Sequence, residues 1–144
     1  MRRSLLAVVL ALATVVAVPL GATAGTRVLG VTPRTVHFGA KPVGSVMSRS
    51  VTVTNTSSET ISLAIDVIKD WDDFETGVLG TTCTFSEQLL APGESCVVVL
   101  KFTPETAGGF EWVKQDQTLL ATAEDPATGE LLDSVEIRFI GMAR

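Results

Sequence analysis

Residues 89–110 read LLAPGESCVVVLKFTPETAGGF. Within them Cys96, Val98, Leu100 and Phe102 alternate with Val97, Val99 and Lys101. A two-residue period sends one set of side chains to a core and the other toward water, as a half-buried strand does. Pro92 and Gly93 suit the central positions of a type II turn feeding that strand, because proline fixes φ and glycine permits a positive one. Pro104 ends the run, since it has no N–H to give a ladder. The same period recurs on both sides. Val51 and Val53 alternate with Ser50, Thr52 and Thr54, up to the turn-forming cluster Asn55-Thr56-Ser57-Ser58-Glu59. Ile61, Leu63, Ile65 and Val67 alternate with Ser62, Ala64 and Asp66, and Val135, Ile137 and Phe139 with Glu136 and Arg138. Thr35-Val36-His37-Phe38 and a segment around Leu119 and Leu120 add further runs, and Asp125-Pro126-Ala127-Thr128-Gly129 reads as a turn. Short alternating runs with turn signals between them, and no long helical periodicity, predict an all-β sandwich of about seven antiparallel strands.

The first residues have a different logic. Arg2 and Arg3 precede an apolar run over 5–20, and Ala22-Thr23-Ala24 offers the small residues that signal peptidase accepts. Residues 1–24 therefore read as a secretory signal and 25–144 as one mature domain, an extracytoplasmic protein with no membrane segment after cleavage. Without Arg2 and Arg3, nine Lys and Arg stand against sixteen Asp and Glu. Such an acidic domain is a poor nucleic-acid binder, because phosphate binding needs clustered cations. A monomer is expected.

Cys83 and Cys96 are the two cysteines, and His37 is the one histidine. After export an even pair favours a disulfide. A structural zinc site needs four N or S ligands, and a Cys–His or Ser–His nucleophile would have to recruit His37. No G-x-S-x-G, H-E-x-x-H or phosphate loop occurs. The expectation is a Cys83–Cys96 bridge, no catalytic residue, no metal and no cofactor. The acidic run Asp70-Trp71-Asp72-Asp73-Phe74-Glu75 admits a calcium reading, since Ca²⁺ takes several carboxylate oxygens, but it lacks the EF-hand spacing. A solvated loop with Trp71 and Phe74 tucked inward is the plainer reading. Asn55-Thr56-Ser57 matches the glycosylation sequon, and the simpler role for Asn55 is a turn. Phe110 and Trp112, beside Gly108-Gly109, are candidate partner contacts, because aromatic residues are enriched at interfaces as well as in cores.

In order along the chain stand Pro33-Arg34-Thr35-Val36-His37-Phe38-Gly39, Val43-Gly44-Ser45, Ser50-Val51-Thr52-Val53-Thr54-Asn55, Asp73-Phe74, Leu90-Ala91-Pro92-Gly93-Glu94-Ser95-Cys96, Lys101-Phe102-Thr103-Pro104 and Val135-Glu136-Ile137. This ordered set resembles the ASH domains, named for the abnormal-spindle, SPD-2 and Hydin proteins. It is most like their bacterial secreted relatives of the choice-of-anchor D type. The resemblance implies an immunoglobulin-like sandwich akin to major sperm protein and PapD-type chaperones. It also implies protein binding or scaffolding in place of catalysis, with an envelope chaperone as the alternative. Partner strands would add to a sheet edge, for which 35–38 and 135–140 are the candidate segments.

Overall fold

The computed structural model describes residues 27–70, 72–105 and 113–143. These form nine strands and no helix: β1 (Leu29–Thr32), β2 (Thr35–Lys41), β3 (Met47–Asn55), β4 (Ile61–Lys69), β5 (Phe74–Thr76), β6 (Gln88–Leu90), β7 (Ser95–Phe102), β8 (Val113–Glu124) and β9 (Leu131–Ala143). One sheet runs β1-β3-β7-β5, the other β2-β9-β8-β4-β6. The fold is the all-β sandwich that the alternation predicts, with two corrections. There are nine strands where about seven were expected, because β1, β5 and β6 are three or four residues long and too short to display a period. And one pair is parallel: β2 lies beside β9 in the same direction. A segment leaving β1 and continuing the same way along the opposite sheet has no other orientation open to it.

The two inner faces interlock around large apolar side chains. Phe102, Phe139, Ile61, Leu63, Ile65, Leu100, Leu119 and Ile137 are fully buried. Each buried aliphatic or aromatic side chain contributes roughly 1.5–3 kcal/mol. At one end Phe38, Phe74 and Phe102 form a ring cluster, with centroids 4.8–5.7 Å apart. The Phe102 ring lies over Gly141 of β9, where a Cβ would stand 2.5 Å from Cζ. Glycine is therefore required there for space.

The turn before β7 forms as its sequence dictates. Glu94 N–H donates to Ala91 O at 3.0 Å, and Gly93 has φ of 76°. Asn55, fully buried at the end of β3, ties this turn to its surroundings. Its backbone exchanges hydrogen bonds with Gly93 and Glu94, and its Nδ2 donates to Glu59 O and Leu90 O. With Nδ2 so engaged, the sequon at Asn55 is closed to glycosylation in the folded chain.

Gly141→Ala should lower stability by about 1–3 kcal/mol, the usual cost of overpacking a core, because Phe102 is itself held by two neighbouring rings. Gly30→Ala is the control. Its Cβ would meet the Thr56 methyl at 2.9 Å, and Thr56 is exposed and can turn aside for the loss of one exposed hydrogen bond, from its Oγ1 to Arg27 O. Chemical denaturation of both variants checks this; equal losses would contradict the packing account.

Candidate interaction edge

Each sheet of an open sandwich has two edges, and each edge presents N–H and C=O groups to whatever can pair with them. On the β5 side, the part of β7 that β5 does not reach is covered by residues 81–83. Thr82 and Cys83 N–H both donate to Val97 O, at 2.8 and 3.0 Å. Val97 N–H donates to Thr82 Oγ1 at 2.8 Å and Val99 N–H to Thr81 Oγ1 at 3.0 Å. Two threonine hydroxyls thus stand in for the missing strand. Cys83 and Cys96 are bonded to each other, their Cα atoms 4.9 Å apart, and the bond fastens this strap to the start of β7.

The opposite flank is built differently. Thr56 N–H donates to Val28 O at 2.8 Å, and the register then pairs Gly30 with Thr54 and Thr32 with Thr52. The next pairs would be Arg34 with Ser50 and Val36 with Ser48. Instead the chain turns at Pro33 into the other sheet. Arg34 O accepts a hydrogen bond from Arg138 N–H at 2.8 Å, and β2 pairs with β9 from Thr35 onward. Strand alternation directs the N–H and C=O of Ser48 and Ser50 to the side β1 has left, while Val51 and Val53 face the core. A cleft of about 490 Å³ opens there, lined by Pro33, Val36, Ser48, Arg49, Ser50 and Val99.

The crossing leaves a second gap on β9, beyond the reach of β2. A carboxylate of β9 spans the two sheets there: Asp133 Oδ2 accepts from Val28 N–H at 3.0 Å and Leu29 N–H at 3.1 Å. In the β3 gap the residue on the inward side is Arg49, which is exposed. Three basic side chains elsewhere are answered: Lys101 pairs with Glu75, Lys69 Nζ lies 2.5 Å from Asp116 Oδ1, and Arg138 Nη2 lies 3.8 Å from Asp116 Oδ2. The hydrogen bond from Lys69 holds the Asp116 carboxyl below its ordinary pKa of 3.8, against an opposing push from burial. That stabilisation is present above pH 3.8 and lost as pH falls through the lower folded value. Arg49 makes no hydrogen bond or ion pair among the described residues.

Of the segments expected to offer an edge, 35–38 lies in β2, an edge strand of the five-stranded sheet. Segment 135–140 belongs to β9, which runs between β2 and β8, and β2 reaches it only from Arg138 onward, so 138–140 are flanked on both sides and 135–137 are not. Its alternation reports burial of one face, which an edge strand and a central strand share. His37 is exposed on β2, opposite Ile140. Phe110, Trp112 and Trp71 lie outside the described residues. In the acidic run Asp73 turns inward, 5% exposed, and accepts a hydrogen bond from the buried Gln115 amide. Among the described residues no group of three or more His, Cys, Asp or Glu side chains is placed to hold a metal ion. Sequence reasoning passed over Ser48, Arg49 and Ser50. The available signal was Arg49 itself, a charge on the same strand face as Val51 and Val53.

No family model matches the sequence, and no curated protein does. Solved structures do. The ASH/PapD-like domain of human CEP192 superposes with a TM-score of 0.67 at 9% identity, over 92% of this chain and 96% of that one. WR4, a C. elegans member of the MSP family, gives 0.56 at 8% identity, over 81% and 99%. The E. coli chaperone DraB gives 0.50 at 13% identity, over 81% and 54%. The chain has the immunoglobulin-like fold of the ASH, MSP and PapD-like domains.

Proposed function

We propose that the chain is a secreted or cell-surface protein-interaction domain without catalytic activity, of the bacterial choice-of-anchor D type. Its partner contributes a strand to the flank of β3. The observation that carries this reading is the pair of unpaired backbone positions, Ser48 and Ser50, beside an open cleft. A strand laid there would extend the four-stranded sheet by main-chain hydrogen bonds and would stack over β2 of the other sheet. A non-enzymatic role is supported by the exposed His37 and by cysteines occupied with each other. DraB, a chaperone of the same fold, favours a second reading, an envelope chaperone that holds many client strands in the same place.

Ser50→Pro removes the N–H that faces the flank and leaves the β7 ladder intact, since proline is tolerated at a strand edge. Affinity capture from culture medium and cell wall with the wild-type chain and this variant should recover one partner with the former and lose it with the latter. Many unfolded clients would favour the chaperone, and identical recovery with both would remove the flank from consideration. The extracytoplasmic address rests on the leader-like 1–24 and the bridged cysteines. Intact mass spectrometry of the exported chain should give the mass of residues 25–144 less two hydrogens. A mass that includes Met1, or two titratable thiols, would contradict it.

A further inference from the structure

The register that sets β1 against β3 also specifies what should follow it. β3 pairs antiparallel with β1 and with β7. A strand continuing the β1 ladder past Thr32 would place successive residues opposite Ser50, Arg49, Ser48 and Met47. Thr56 and Val28 form a hydrogen-bonded pair, so the pairs at Ser50 and Ser48 would also be hydrogen-bonded. Those at Arg49 and Met47 would be the intervening, closer pairs, with Cα atoms ~4.5 Å apart. Directly opposite residues share a face, so the incoming side chain opposite Arg49 would enter the cleft beside the guanidinium.

That position is cationic on an acidic molecule. The whole chain carries a net charge of −5, yet among the described residues Arg49 is the one charged residue that lines the cleft. Where β9 is left unpaired, Asp133 meets two N–H donors of β1. Where β3 is left unpaired, the corresponding charge, Arg49, has no counterpart among the described residues. Two positions away, Met47 packs partly buried against the core and offers an apolar contact.

We propose that the cleft takes an extended acidic segment of a partner protein, with Asp or Glu opposite Arg49 and an apolar residue two positions later opposite Met47. The proposal rests on the strand-addition reading and names the chemistry of its partner. A carboxylate there meets a guanidinium in the geometry that favours paired N–H···O bonds. A lysine would set like charges directly opposite one another, which is destabilising. A second copy of this chain, adding its own β3 antiparallel with Arg49 at the centre, would meet that repulsion.

Fluorescence anisotropy of the full chain with two labelled, end-capped peptides tests this. Both carry threonine and serine flanks; one has the core Thr-Asp-Thr-Val, the other Thr-Lys-Thr-Val. The aspartate peptide should bind wild type about tenfold or more tightly than the lysine peptide. Arg49→Glu, a change at an exposed side chain, should invert the preference, and Ser50→Pro should weaken both peptides. N-methylation of the peptide residue opposite Ser50 blocks the same hydrogen bond from the ligand side and stands in should Ser50→Pro not fold. Equal binding of both peptides to wild type and Arg49→Glu, lost on N-methylation, would overturn the acidic proposal while strand addition survived. Binding of neither peptide would overturn both. A dimer seen by sedimentation at these concentrations, and dispersed by Ser50→Pro, would assign the flank to a second copy and likewise overturn the proposal.

Discussion

A strand can pair on each side with one neighbour at a time, and residues 29–41 divide one flank of the sandwich between two sheets. β1 serves β3 as far as Thr32, then β2 serves β9 from Thr35. The interior stays covered across the change: Leu29 and Val31 point inward from the first sheet, Val36 and Phe38 from the second. What the crossing cannot do is satisfy β3 and β9 along their whole lengths. Two stretches of backbone are left, one in each sheet, and they are bordered differently.

The difference lies in side chains. At β9 a carboxylate, Asp133, reaches across and accepts two N–H groups of the first sheet. On the far side of the molecule two threonine hydroxyls and a disulfide complete the edge of β7. That strap covers an edge that would otherwise recruit a neighbour. At Ser48 and Ser50 no such device appears among the described residues, and the charge beside them, Arg49, is unanswered. The flank that β1 leaves on β3 thus also has a charge to offer a ligand.

Much of the sandwich is legible in the sequence, because β3, β4, β7 and β9 place apolar residues inward at every second position. β8 is half legible. Leu119, Ala121 and Ala123 follow the rule, but the inward residues of its first half are Gln115 and Gln117, both buried, so the period disappears from a hydropathy reading. The Pro92-Gly93 turn was readable since its backbone demands those residues. The candidate site was less so. Whether a strand lies at an edge depends on pairing across the chain, as Val36 beside Phe139, and alternation carries no record of that. Arg49 breaks the inward pattern of β3 by one residue, and its meaning emerges only once β1 is seen to stop at Thr32.

Amide hydrogen exchange along β3 in the isolated protein measures the central claim directly. The N–H groups of Thr52 and Thr54 pair with β1 and should exchange slowly, at rates set by opening of the sheet. Those of Ser48 and Ser50 face the open flank and should exchange orders of magnitude faster, although all four belong to one continuous strand. Protection of Ser48 and Ser50 equal to that of Thr52 would mean that the flank is already closed, and would contradict the account.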